Sequence, residues 1–148
     1  MTTRARWRTV TTKLVERHKG GGEWDIIIPL APTPASRPRV TRWGTYFPKK
    51  YSVWKEEAHR LLSEYTVPDL FAGRILVRTD VVCYRPKKPA NDYPVGDIDN
   101  YEKATYDAIT KAKIVWKDDV QIVGCETTKR YADGDEEPHT HIRIEKEK

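Results

Sequence analysis

Four aspartates and one lysine are the residues whose types and spacing suit chemistry. Asp97 and Asp99 stand two residues apart, Lys103 follows four residues after Asp99, and the adjacent pair Asp118-Asp119 comes one helix-length later. In an extended segment Asp97 and Asp99 would present both carboxylates to one face. If Asp118-Asp119 then folds back to the start of the intervening helix, three or four carboxylates converge. Such a group repels itself unless a cation binds it. Hard oxygen ligands favour Mg²⁺ or Mn²⁺, with waters and substrate phosphates completing the shell. A cation held this way polarises a phosphodiester and stabilises the leaving oxygen, and the Lys103 ammonium is placed to neutralise charge on the transferring phosphate. A plainer reading of the same residues stands beside this one. Asp99-x-x-Glu102 is also a capping box, and Asp118-Asp119 also suits an ordinary surface turn.

The elements on either side must position these groups. Residues 100–113 have alanine-rich apolar spacing (Ala104, Ala108, Ile109, Ala112) with no glycine or proline, which predicts a helix with Asp99 at its N-cap and Lys103 one turn on. A short apolar run, Ile114-Val115-Trp116, delivers the second acidic pair. Upstream, Trp24–Pro29 reads as a strand, because β-branched residues run together and proline closes it. Leu30–Pro48 reads as a long irregular loop that carries Arg37, Arg39 and Arg42 together with Trp43, Tyr46 and Phe47. Lys49–Tyr65 predicts a helix, with a core stripe of Tyr51, Trp54, Ala58, Leu61, Leu62 and Tyr65, and with Lys49 and Lys50 at its start. Arg74–Tyr84 predicts a long, mostly buried strand. Arg85–Val95 is a second irregular segment, with Lys87 and Lys88, that leads directly to Asp97. Val120–Tyr131 and His139–Glu145 complete the set as strands. His139 and His141 share a face of the last one, and a solvated face explains them better than a metal does, because no third ligand lies nearby. The order β-α-β-α-β-β predicts a single compact α+β domain, a mixed β-sheet with packed helices.

Taken together, Asp-x-Asp-Asn-x-x-Lys at 97–103, a helix, and Asp-Asp-x-Gln at 118–121 resemble the RusA family of Holliday junction resolvases. The resemblance runs from about Pro29 to Ile144 and includes Arg37-Pro38-Arg39, Gly44-Thr45-Tyr46-Phe47-Pro48 and Tyr51-Ser52-Val53-Trp54-Lys55. It implies that Asp97, Asp99 and Asp119 bind the divalent cation, that Lys103 is essential, and that Asp118 is an auxiliary acid. It also implies a homodimer that binds four-way DNA junctions and nicks two strands symmetrically, in DNA recombination and repair. The expected setting is the cytoplasm of a bacterial cell or of a phage-infected host. Two other readings stay open: a flap or branched-DNA nuclease of the same chemistry, and a junction-binding protein without cleavage.

Composition is consistent with this. The chain has 148 residues, 27 basic against 22 acidic, for a net charge of +5. That length suits one domain, and the mild basic excess suits a polyanionic partner without requiring one. Arg37, Arg39, Arg42, Lys49, Lys50, Lys87 and Lys88 are the candidate DNA contacts, through forked or point-charge contacts to phosphate. Aromatics in the first loop can stack on or wedge between bases at a branch point. Two cysteines, Cys83 and Cys125, lie in strand-like runs without metal spacing and read as free buried thiols. No apolar run approaches a membrane span, and the basic N-terminus lacks the apolar core of a secretory signal. Residues 1–22 read as a basic N-terminal extension, closed by Gly20-Gly21-Gly22 and flexible where those glycines link it to a nuclease domain spanning 23–148.

Overall fold

A computed structural model describes residues 13–16, 22–46, 48–65 and 70–147. The sheet is built around β5 (Ile75–Cys83), whose inward positions Ile75, Val77, Thr79 and Val81 are all buried. On one side β5 pairs antiparallel with β7 (His139–Lys146), and on the other it pairs in parallel with β6 (Ile122–Tyr131). β7 continues antiparallel to β2 (Glu23–Ile28), and β2 to β1 (Lys13–Glu16), giving the order β1-β2-β7-β5-β6. One parallel pair in an otherwise antiparallel sheet makes it mixed, as the sequence pattern predicts.

Two helices, α1 (Lys49–Leu62) and α2 (Ile98–Ala112), belong to the main core. Ile26, Ile28, Ile75, Val77, Ile142 and Ile144 from the strands meet Tyr51, Trp54, Ala58 and Leu62 of α1 and Ala104, Ala108 and Ile109 of α2. Most of the periodic stripes seen in the sequence are therefore core, as expected of amphipathic helices on a sheet; Leu61 and Tyr65 are only half-buried, and Tyr65 lies beyond the end of α1. Away from this cluster, strand side chains form a polar network. Arg78 reaches Glu126 at 3.2 Å and Asp80 at 3.5 Å, and His141 Nε2 meets Asp25 at 2.7 Å.

Several expectations need correcting. The loop over 30–48 is not wholly irregular, because β3 (Arg39–Thr41) and β4 (Gly44–Tyr46) pair antiparallel as a hairpin. Its turn closes locally. Trp43 N donates to Thr41 Oγ1 at 3.1 Å, the same hydroxyl donates to the Gly44 carbonyl at 3.2 Å, and Gly44 takes a φ of +133° that other residues rarely adopt. α2 begins at Ile98 with Asp97 as N-cap, so Asp99 lies in the first turn instead of capping it. Cys83 is buried but Cys125 is exposed, since β6 is the edge strand. His139 is buried, with Nδ1 2.8 Å from the Glu137 carbonyl, so it does not belong to a solvated face. Phe47 and most of the N-terminal extension lie outside the described residues.

The return from α2 to β6 is tightly turned. Lys113 takes a left-handed φ of 56° at the helix end, and buried Val115 takes a φ of 65°. A β-branched residue there is strained. Trp116 N donates to the Ile114 carbonyl at 2.7 Å, closing a γ-turn about Val115. The strain is held in place from outside the turn. Phe71 N donates to the Val115 carbonyl at 2.6 Å, and fully buried Trp116 donates from Nε1 to Thr110 Oγ1 at 2.7 Å. Gln121 locks the short 3₁₀ helix Asp119–Gln121 that follows. Its Oε1 accepts from the Lys117 and Asp118 amides at 2.9 and 3.1 Å, and its Nε2 donates to the Phe71 and Gly73 carbonyls at 2.8 and 3.0 Å.

Replacing Gln121 by alanine leaves these backbone groups without side-chain partners. Gln121→Ala is expected to lower unfolding free energy by about 2 kcal/mol in urea titrations. Gln121→Glu, which sets a carboxylate oxygen against the Phe71 and Gly73 carbonyls, should be at least as destabilising at neutral pH.

Candidate active site

α2 sets the geometry of the site. Asp99, Lys103 and Asp107 recur every four residues and so lie along one face of the helix. Asp97 precedes the helix with extended backbone, and its carbonyl accepts the Asn100 and Tyr101 amides at 3.0 and 3.2 Å. Its carboxylate makes no capping bond. The capping-box explanation of Asp99 and Glu102 therefore fails. Asp99 is not the cap, and Glu102 accepts instead from the Thr127 hydroxyl, tying the helix to β6. Both leading acids are exposed and aimed away from structural duty.

The acidic pair divides its labour. Asp118 caps the 3₁₀ helix, accepting the Val120 amide at 3.3 Å, which is the ordinary turn role that the sequence also allowed. Asp119 lies half-buried against α2. Partial burial raises its carboxyl above the usual range, the hydrogen bond and charge of Asp118 and the charge of Asp107 push the same way, and Lys103 opposes them. Asp119 therefore stands close enough to Asp107 and Lys103 to share their field. Lys103 Nζ is 3.2 Å from Asp107 Oδ2.

The fold-back thus brings Asp119 into the field of Lys103 and Asp107 on α2. Asp99 and Asp119 flank Lys103, and among the described residues no three acid, histidine or cysteine side chains already form a metal-holding group. The donor set still suits a hard cation. It is all oxygen, it includes carboxylates without structural partners, and one member is electrostatically disfavoured as an anion. Mg²⁺ commonly takes only one or two carboxylates and completes its shell with water and substrate phosphate.

Asp107 was missed by the sequence reading. Its signal was present in the four-residue spacing from Asp99 through Lys103, but its relation to Asp119 was not. Among the candidate DNA contacts, Arg37, Arg39, Arg42, Lys49, Lys50, Lys87 and Lys88 are all exposed. The first loop is tied to the acids directly, because Ala35 N donates to the Asn100 carbonyl in the first turn of α2 at 2.9 Å. That bond holds the segment leading into Arg37-Pro38-Arg39 at the first turn of α2, which carries Asp99.

Residues 29–145 match the family described as Endodeoxyribonuclease RusA. The match covers most of the chain, and the protein belongs to this family. It is an endodeoxyribonuclease of the kind that resolves Holliday junctions. No match was found among curated proteins.

The electrostatics of Asp119 give a prediction with a definite sign. Because its carboxyl titrates higher in the folded chain, the folded state bears a penalty that is present above that pKa and fades as pH falls through it. In metal-free buffer, Asp119→Asn should therefore be slightly more stable than wild type at pH 7, by less than about 1 kcal/mol. The difference should vanish in thermal melts toward pH 4. A mutant less stable at every pH would contradict this account.

Proposed function

We propose that this RusA-family enzyme resolves four-way DNA junctions by paired symmetric nicks, with Mg²⁺ held by Asp97, Asp99 and Asp119. The observation that carries the reading is the placement of half-buried Asp119 near Lys103 and Asp107 of α2, where partial burial first, and then Asp118 and Asp107, disfavour its anion. Mn²⁺ has the same preference for oxygen and should substitute. When bound, the cation supplies Lewis-acid polarisation of the phosphodiester and charge stabilisation at the leaving oxygen.

The chain's own residues do the rest. Asp97 and Asp99 bring two carboxylates to the helix N-terminus, and Asp119 approaches from the turn. Lys103, between them, turns from Asp107 to the scissile phosphate and offsets the charge that builds on its oxygens. Asp118 acts as an auxiliary, holding the turn that presents Asp119. The products are a 5′-phosphate and a 3′-hydroxyl.

Binding is assigned to the basic residues around this face. Arg37 and Arg39 follow Ala35, whose amide is bonded to the first turn of α2. Lys49 and Lys50 open α1, and Lys87 and Lys88 stand on the segment leading to Asp97. Affinity from such contacts falls with salt. The β3–β4 hairpin adds a different surface. Trp43 and Val40 are 84% and 79% exposed, and the Arg42 guanidinium lies 4.8 Å from the Trp43 ring. A two-stranded ribbon gains little stability from exposed apolar groups. A flat ring already stacked with a cation suits an unpaired base at a branch point.

Two copies in a twofold dimer match two equivalent strands of a junction. The exposed Val120 and Val123, at the sheet edge next to Asp119, support a self-complementary contact there. The nuclease domain is assigned to residues 23–148, with residues 1–22 as a basic extension from which β1 joins the sheet. Among the described residues no helix is long and apolar enough to cross a membrane. The proposed setting is the cytoplasm of a bacterial cell or phage-infected host, in DNA recombination and repair.

The direct test is cleavage of a labelled four-way junction, a flap and a linear duplex in Mg²⁺ by wild type and Asp99→Asn. Symmetric nicks on the junction alone, lost in the variant while binding persists, are expected. Equal cutting of the flap would reassign the enzyme to branched DNA in general, and tight binding without cutting would leave a junction-binding protein. For the hairpin, Trp43→Ala should weaken junction binding about tenfold, the scale of one base stack, and leave duplex binding within twofold. Trp43→Phe should recover most of the loss in gel-shift titrations.

A further inference from the structure

Neither the catalytic scheme nor the DNA surface uses Lys129, yet it is placed to control one of the acids. It lies on β6 in register with Val81 of β5, and shares a strand face with Thr127 and Tyr131. Its ammonium donates to the carbonyls of Pro94 and Gly96 at 2.8 and 2.7 Å, and lies 5.8 Å from the Tyr93 ring. Among the described residues it makes no ion pair with a carboxylate. A half-buried lysine loses hydration. Here that loss is offset by two charge-assisted bonds to backbone and by an aromatic face.

The three residues it gathers, 93, 94 and 96, end immediately before Asp97. The segment is gripped from its other side as well. Tyr101, buried in the first full turn of α2, packs so close to Gly96 that a Cβ there would sit 2.7 Å from its ring. The Tyr101 hydroxyl itself would lie 2.8 Å from that Cβ. Gly96 is thus fixed through its carbonyl by β6 and, where a side chain would stand, by the Tyr101 ring of α2. The stretch from 84 to 97 is otherwise irregular, and Val95 is 75% exposed. Without these anchors the residue before Asp97 would be free to rotate.

We infer that Lys129 is a positioning residue for the nuclease reaction: by clamping residues 93–96 to β6 it sets the backbone from which the Asp97 carboxylate reaches the cation. This rests on the assignment of Asp97 as a metal ligand. Residues that orient a ligand from behind affect metal affinity roughly 10–100-fold when removed. Lys129 differs from the DNA-facing lysines in that its donors are already engaged with backbone, so it does not serve as a phosphate contact.

The test uses full-length Lys129→Met, which keeps the length and removes the donors, with Lys129→Arg as the conservative variant and Asp97→Asn as control. Four quantities are measured: Mn²⁺ affinity by paramagnetic titration, single-turnover junction cleavage across a Mg²⁺ series, junction binding without divalent metal, and thermal stability. Lys129→Met should weaken Mn²⁺ binding and raise half-saturating Mg²⁺ about tenfold. Metal-free junction binding should stay within twofold, and Lys129→Arg should recover most of the metal affinity.

Three results overturn the proposal. One is unchanged metal affinity in Lys129→Met, measured below its melting transition and corrected for folded fraction. Another is a loss of junction binding that is the same with and without metal, which makes Lys129 a phosphate contact. The third is normal cleavage by Asp97→Asn, which removes the ligand assignment and with it the role given to Lys129. Loss of cleavage in Asp97→Asn beside an unaltered Lys129→Met overturns the Lys129 role alone.

Discussion

The parallel pairing of β5 with β6 is the constraint on which the rest depends. Two neighbouring parallel strands cannot be joined by a tight turn, so the chain must cross back over the sheet before it can pair again. Here α2 is that crossover. The segment entering it carries Asp97, the helix carries Asp99, Lys103 and Asp107, and the segment leaving it carries Asp118 and Asp119. Every acid assigned to the metal therefore belongs to one connection. Its buried face (Ala104, Ala108 and Ile109) is fixed against the sheet by apolar packing, which leaves the opposite face to hold charge.

Holding that charge together is unfavourable, and the fold meets the cost with rigidity. Asp119 is presented by a turn with strained backbone at Val115, a fully buried Trp116 and the four side-chain hydrogen bonds of Gln121. Backbone strain of this sort persists only where the surroundings over-determine it. At the other end, Lys129 and Tyr101 grip the residues before Asp97. Lys103 sits between the two anchored ends, paired with Asp107, and in the proposed reaction a phosphate competes for it. Rigid supports at both ends and a movable cation in the middle suit chemistry in which substrate phosphate completes the site.

The parts proposed to face DNA follow the opposite rule. The hairpin residues Val40, Thr41, Arg42, Trp43 and Gly44 are all exposed, and the paired lysines at 49–50 and 87–88 are exposed too. Such surfaces add little to stability and are free to adapt to a branched polyanion. A bond from Ala35 to Asn100 ties the arginine-bearing loop to the first turn of α2 despite its irregular path.

The sequence by itself determined the two helices with most of their core stripes, the main strands, and Asp97, Asp99, Asp118 and Asp119 among the acids, because these depend on local periodicity and residue chemistry; it missed the β3–β4 hairpin and Asp107. The family motif was legible for the same reason: its spacing of acids and lysine is local. The tertiary structure alone decided which acid caps and which stays free. Asp97, not Asp99, begins the helix, and Asp118 is spent on its own turn, as hydrogen-bond geometry settles between near-equivalent neighbours. It also decided that Asp119 enters the field of Lys103 and Asp107 on α2, and that Lys129 serves the loop before Asp97. Those relations join residues 12 or more positions apart, or far more across the sheet. No sequence period encodes them, because they arise only when β5 and β6 pair and the crossover is forced to pack.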